Sequence, residues 1–508
     1  MILLSKTIFT GTSMEPMDGF VAIEGNKIKA VGTREESRAW IEKDSEVIDL
    51  GDKTVTAGFV DCHTFFTGYV LRSLGVDFSE VKTDKEAVKV LKAEEARLGK
   101  GVPLFGHCFQ SDSYEETEKG LLDSTFPDTP VVAFTFDRDT CLMNEAAKKR
   151  YQFGPDKCYA EMIYRMMPDY LSRPDTEERF VDYVKMLNER GITTIKEMTF
   201  DTSYGVTDIY EKLEKENRLN MRISFMSQPV GEGINIPHGK AMRERFTGNF
   251  VKFGGYNRMT DRSIASGMAE LLEPYASTGV LCDVPVEWEL ITKETLEADK
   301  NDFRYSLHCQ GDGAIRHTVE LFDKCQKVNG KLKNRHAITD LEYSNPADLE
   351  KFGRMGGIAE VYAQIQSFDT RESIEELWKA QLGDDRGKNY WNRRKMWDSG
   401  ITVTCGTDLP LLIPNIPEAI WCSCGGHMAD GEVVNKQNML TIPEMLLAWT
   451  RNGQYNCGNE ECLGTLEAGQ LADIAVIDTN VFTASMEEIK NAKVCLTISD
   501  GRLVYEAE

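Results

Sequence analysis

The feature that most constrains this chain is an alternation in its middle, where strand-like apolar runs trade places with stretches of helical period. Val131 to Phe136 precedes Glu145 to Tyr151, a helix from about Thr176 precedes Ile192 to Ile195, Tyr305 to His308 precedes Ala314 to Val328, and Ile401 to Cys405 follows. Strand-then-helix order implies parallel strands, since a parallel partner is reached only through a crossover long enough to hold a helix. Sustained over roughly 400 residues, the order predicts an α/β fold of the (β/α)₈ barrel type with insertions. Residues 80 to 185 hold more chain than one βα unit needs, so an insertion is expected there, roofing the active site.

The two ends read differently. Gly19-Phe-Val-Ala-Ile-Glu-Gly-Asn-Lys-Ile-Lys-Ala-Val is two alternating strands around a Gly25-Asn26 turn, and Val494-Cys-Leu-Thr-Ile-Ser-Asp-Gly-Arg-Leu-Val-Tyr is a second hairpin turning at Asp500-Gly501. Neither end has enough strands to bury a core alone. Residues 1–56 and 461–508 are therefore expected to combine in one small β-sandwich beside a barrel domain of residues 57–460. A 508-residue chain is long enough for that division.

Composition narrows the function classes. The hydrophobic fraction is 41%, the charged fraction 28%, and no apolar run approaches the length of a membrane helix. The N-terminus reads as a first strand and not as a secretory leader. Thirteen cysteines, odd in number and irregularly spread, suit a reducing compartment, so a cytoplasmic protein is expected. A net charge of -23 argues against polyanionic partners. The expected partner is a small-molecule substrate, with neither nucleic acid nor membrane, and a homodimer is left open.

In such barrels the chemistry stands at the C-terminal ends of strands, so polar residues just after apolar runs are the candidates. They are His63 in Ala57-Gly-Phe-Val-Asp-Cys-His, Lys252 in Phe250-Val-Lys, His308 in Tyr305-Ser-Leu-His, Asp340 in His336-Ala-Ile-Thr-Asp and Asp408 in Val403-Thr-Cys-Gly-Thr-Asp. Each alone has a plainer reading, as a helix cap or a satisfied loop residue. Lys196, with Glu197 beside it, competes with Lys252 as the strand-end lysine. Cys422 and Cys424 with His427 lack a fourth partner at zinc-finger spacing and read as buried cysteines. His238, His317 and His336 read as helix or loop residues. Phosphate-binding loop, dinucleotide fingerprint and Gly-x-Ser-x-Gly elbow are all missing from the sequence.

Taken in order, Gly-Phe-Val-Asp-Cys-His near 60, His-Cys-Gln-Gly-Asp-Gly-Ala-Ile near 310 and Gly-Thr-Asp-Leu-Pro near 408 resemble the amidohydrolase superfamily, and more closely its YtcJ-like branch, amidohydrolase family 3. The likeness extends to Val251-Lys-Phe with Arg262, to Leu271-Leu-Glu-Pro-Tyr and to the end motif Gly464-Thr-Leu-Glu-Ala-Gly-Gln-Leu-Ala-Asp. It implies a barrel holding divalent metal between strand-end histidines, a strand-8 aspartate and, in many members, a carboxylated strand-4 lysine. Carried over, the ligand positions are His63, Lys252, His308 and Asp408, with Asp408 also the catalytic proton carrier. Phe65, His107 and Arg262 then fall to substrate binding, and Asp139 also lies where the family lines its cleft.

Two positions depart from the family pattern. His63-Thr64-Phe65 replaces His-x-His, and Thr339-Asp340 replaces Glu-His. Phe65 offers no donor, and Asp340 is left as an oxygen ligand. One ion is then expected in place of two, most naturally Zn²⁺, with Mn²⁺ or Fe²⁺ as alternatives and Lys252 carboxylated. The reaction implied is hydrolysis of a C–N bond in a small amide or cyclic amide by metal-activated water. Two other readings stay open: a barrel that has lost hydrolysis and binds a small molecule, and a metal-dependent lyase or isomerase.

Overall fold

The computed structural model describes residues 1–41, 46–135, 140–155, 164–199, 205–229 and 233–507. Two compact units make up the chain. Met1–Thr64, Val184–Asp201 and Glu211–Glu508 form the first, and Phe65–Tyr183 with Thr202–Tyr210 form the second.

In the first unit eight strands pair in unbroken chain order: Phe59–Thr64, Ile192–Thr199, Arg222–Ser227, Val251–Met259, Tyr305–Cys309, Ala337–Asp340, Ile358–Tyr362 and Thr402–Gly406. They are barrel strands one to eight. Each pairing is parallel, and a parallel bridge from Thr64 to Leu409 returns the eighth strand to the first. The result is the nearly closed (β/α)₈ barrel that the alternation predicts. Strands two and three are buried at every position, as parallel strands are when helices cover one face and side chains fill the other. The helix anticipated over Ala314 to Val328 is Asp312–Phe322. Beyond it Lys327–Val328 pairs with Lys331–Leu332 across Asn329 and Gly330, whose φ values of 51° and 77° make a hairpin turn that no helix can continue through.

The chain ends meet in an eight-stranded sheet of the same unit. Its seam is the antiparallel pairing of Ile474–Ile477 with Thr54–Ala57, and Leu3, Val21, Val55, Ile474, Val476, Leu496 and Ile498 share its core. Both anticipated hairpins form, Met17–Glu24 with Lys27–Thr33 and Val494–Ser499 with Arg502–Glu506, and their tips touch. A Cβ on Gly501 would lie 2.0 Å from the Gly25 carbonyl oxygen, so only glycine fits there. Arg222, at the start of barrel strand three, donates to Asp473 at 2.9 and 3.1 Å and to Asp500 at 2.9 Å. That buried ion-pair cluster ties the terminal sheet to the N-terminal end of the barrel.

The second unit has its own four-stranded sheet, Cys141–Met143, Val131–Thr135, Leu104–Phe109 and Val76–Asp77 in spatial order. Phe78, Leu91, Leu104, Phe126 and Val131 pack its core. The strand anticipated from Val131 thus belongs here and not to the barrel; Phe136, its expected last residue, lies outside the described residues.

Candidate active site

The first and eighth barrel strands create the site where the barrel closes. Asp61 of strand one is fully buried and accepts from the His63 N–H at 3.2 Å, the Thr407 N–H at 3.1 Å and the Thr407 hydroxyl. Burial raises its carboxyl to about 7, against those hydrogen bonds. Gly406 precedes Thr407, and a Cβ there would stand 2.8 Å from His63 Cβ. Each residue of Gly406-Thr407-Asp408 therefore has a separate task. Glycine admits the histidine, threonine locks onto Asp61, and the aspartate faces the mouth of the barrel.

Four candidates gather at the C-terminal ends of the strands as two acid–imidazole pairs. His63 Nε2 lies 3.7 Å from Asp408 Oδ1, and His308 Nε2 lies 3.3 Å from Asp340 Oδ2. Both aspartates sit in the left-handed region, Asp340 at φ 77° and Asp408 at φ 52°, a conformation that non-glycine residues keep only where surrounding structure enforces it. Burial disfavours charge on His308, but the hydrogen bond to Asp340 and the carboxylates of Asp340, Asp408 and Asp261 outweigh it and raise the imidazole to about 9. Asp261 holds the loops together by accepting from the Gln310, Gly311 and Glu270 N–H groups, each at 2.9 Å. Tyr362, last residue of strand seven, stacks obliquely at 6.0 Å from His63. Among the described residues its buried hydroxyl and His308 Nδ1 have no hydrogen-bond partner.

Beneath His63 lies a buried polar layer that the motifs do not reveal. Lys196 of strand two pairs with Glu360 of strand seven and donates to Ser306 Oγ at 3.0 Å. Glu360 also accepts from Thr339 at 2.7 Å and Asn456 at 2.9 Å, and lies 3.8 Å from His63 Nδ1. Burial alone would raise the Glu360 carboxyl; Lys196, His63 and Arg304 hold it well below the carboxylate range. Glu360 and Tyr362 escaped the sequence reading. The signal was one acid inside the apolar run Gly357-Ile-Ala-Glu-Val-Tyr, where a charge must be buried and hence paired.

Lys252 is a correction. It stands second in a nine-residue strand, toward the N-terminal end, and its amine donates to Asn459 Oδ1 at 2.8 Å. Asn459 in turn donates to Gln454, of the helix Arg451–Cys457 that reaches Thr194, Thr404 and Glu360 from the N-terminal end of the barrel. What strand four brings level with His308 is Met259. The rival lysine, Lys196, is inside the barrel but engaged by Glu360. Arg262 lies half-buried in the loop after strand four. Phe65 and His107 belong to the second unit, where Phe65 immediately precedes the helix Phe66–Leu71 without a side-chain capping bond, and Asp139 lies outside the described residues. His427 stacks on Trp421 at 4.9 Å and bonds the Gly431 carbonyl, so it forms no knuckle with Cys422 and Cys424.

The four strand-end donors suit a divalent ion in kind, being imidazole nitrogens and carboxylate oxygens with unsatisfied buried polar atoms beside them. Barrel and donors together define the class of metal-dependent hydrolases. Residues 46–505 match the model of the amidohydrolase family, and the chain belongs to that family, whose members hydrolyse C–N bonds and use divalent metal in general. Over 518 residues it is 21% identical to the putative amidohydrolase YtcJ of Bacillus subtilis, covering 96% of each chain. It is 20% identical to the N-substituted formamide deformylase of Arthrobacter pascens, over 96% of this chain and 94% of that one. Its fold is shared with a metal-dependent hydrolase from Pyrococcus horikoshii, at a TM-score of 0.74 and 19% identity over 96% of this chain and 99% of that chain. Among the described residues no helix is long and apolar enough to cross a membrane.

Proposed function

We propose that the protein hydrolyses the C–N bond of a small amide, with an N-substituted or cyclic amide as the substrate class, and that His63, His308 and Asp340 hold one divalent ion. The observation that carries this reading is the gathering of two histidines and two aspartates at the C-terminal ends of the barrel strands in a chain of the amidohydrolase family. Relatives named for deformylating N-substituted formamides and for imidazolonepropionase activity support the substrate class. When bound, a zinc, manganese or iron ion lowers the pKa of water and polarises a carbonyl. Asp408 takes the proton of the attacking water and returns it to the leaving nitrogen. Asp61 and Gly406 set the position of His63 against Asp408, and the hydroxyl of Tyr362 is placed to donate to a substrate oxygen. Arg262, half-buried beyond strand four, is the substrate-binding arginine of this reading.

The test is a panel of N-substituted formamides, linear amides and cyclic amides assayed with protein loaded with Zn²⁺, Mn²⁺ or Fe²⁺. Turnover that needs the ion and falls in Asp408→Asn supports the reading; no turnover with any ion overturns it. A second reading, a barrel that binds a small molecule without hydrolysing it, has one observation in its favour. Among the described residues, groups of three ligands within 4.8 Å of one another occur elsewhere in the chain and not among His63, His308, Asp340 and Asp408. Substrate-class amides that bind unchanged would select it.

A further inference from the structure

The second unit contains a group of metal-ligating side chains that the reaction above does not use. Ligand atoms of Asp77, His107 and Cys108 lie within 4.8 Å of one another. A local break in strand alternation produces the cluster. Asp77 and His107 are register partners where Val76–Asp77 pairs in parallel with Leu104–Phe109, so their side chains leave the sheet on one face. Cys108 follows His107 directly and in a regular strand would leave on the other. The strand instead shifts register between Gly106 and Phe109, and Cys108 takes φ 57°. A bulge of this kind re-aims a side chain, and strained backbone of this kind clusters where a ligand is clamped.

The surroundings suit an ion. Asp77 is exposed while His107 and Cys108 are half-buried, so solvent reaches the group from one side. His107 Nδ1 stands 3.4 Å from the Leu74 carbonyl oxygen. Donating there, it leaves the ring's lone pair on Nε2, the orientation that outer partners impose on metal-bound histidines. The Ser79 N–H occupies Asp77 Oδ1 at 2.8 Å, leaving Oδ2. Bonds of 2.0 to 2.3 Å about a tetrahedral ion separate neighbouring ligands by roughly 3.5 Å, so small side-chain rotations close the shell.

We propose that Asp77, His107 and Cys108 bind one borderline-soft divalent transition ion of the zinc type, with water as the fourth ligand. Thiolate, imidazole and carboxylate together favour such an ion over Mg²⁺ or Ca²⁺. Binding exchanges the Cys108 S–H bond for a metal–sulfur bond and releases the proton to solvent.

Cobalt titration of the full, reduced, chelator-free chain tests this independently of the barrel reading, because His63, His308, Asp340 and Asp408 contain no sulfur. A thiolate-to-cobalt charge-transfer band should grow with Co²⁺ and vanish in Cys108→Ser. His107→Ala should move the midpoint to roughly tenfold higher Co²⁺ or beyond. Cys325→Ser is the control and should keep the band, since both ring nitrogens of its neighbour His336 are engaged by Tyr305 and Asp299. Absence of the band in the parent overturns the proposal, as does a band that survives Cys108→Ser. Should Cys108→Ser fail to fold, judged by circular dichroism, His107→Ala decides, and an unmoved midpoint overturns the site.

Discussion

Two buried histidine–aspartate pairs stand at opposite ends of barrel strand six, with Asp340 closing it and His336 just before it, while Asp299 comes from the helix Trp288–Lys300. His308 and Asp340 meet at 3.3 Å at the C-terminal end, and His336 and Asp299 meet at 3.0 Å at the N-terminal end. At the N-terminal end every group is answered. His336 Nδ1 accepts the Tyr305 N–H at 3.0 Å, its ring stacks on Phe322 at 5.0 Å, and Asp299 accepts from Gln326 and Asn334 as well. In the other pair Asp340 takes a left-handed φ of 77°, and His308 Nδ1 is buried and unpartnered among the described residues. A saturated pair is scaffold, because it has no valence left for a ligand. An unsaturated pair whose aspartate is held on left-handed backbone keeps that valence.

The largest expected effect falls on the unsaturated end. Asp408→Asn keeps a residue type that tolerates φ 52° but removes the proposed proton carrier, so kcat should fall about 10²–10⁴-fold with the melting temperature nearly unchanged. Equal activity in the variant would remove Asp408 from the chemistry. Next, His336→Ala should cost about 1.5–3 kcal/mol of stability by removing a hydrogen bond to the buried Asp299 carboxylate. Folded molecules of that variant should turn over normally. If urea unfolding shows no loss while kcat drops, the two pairs have been assigned to the wrong roles.

Gly406→Ala probes the seam where strand eight meets strand one at the unsaturated end. The new methyl meets His63 Cβ at 2.8 Å, so about 1–3 kcal/mol of strain is expected, together with a loss of activity, because the clash lies on a proposed ligand. Wild-type kinetics with a solved His63 position unmoved would refute the close-approach argument. The smallest effect is electrostatic. Burial opposes the Asp299 carboxylate, but His336, Gln326 and Asn334 hold it at about 2, below its ordinary 3.8. A depressed folded value gives stability that is whole above about pH 4 and lost as pH falls toward 2. The stability gap between the parent and Asp299→Asn should hold at neutral pH and narrow in acid, and a gap that widens in acid would reverse the sign of the assignment.

The sequence alone conveyed the periodic and the local. Alternation of strands with helices fixed the barrel, and the turns at Gly25-Asn26 and Asp500-Gly501 fixed the terminal hairpins, because turn chemistry and hydrophobic period act between neighbours in the chain. The short motifs placed His63, His308, Asp340 and Asp408 at strand ends for the same reason. Sequence could not choose between lysines, since Lys252 and Lys196 both follow apolar runs and only strand length and register reveal which end each occupies. It read His336 as a helix or loop residue, and a loop residue it is, but the pairing stayed hidden because Asp299 is 37 residues away. It passed over Glu360, whose partners Lys196, Thr339 and Asn456 come from three other elements. Nor could it place Cys108 beside His107, because strand period puts neighbours on opposite faces and a bulge is decided by pairing with another strand. Pairing across a barrel depends on which distant residues share a layer, and that is set when the eight strands close, not by any segment by itself.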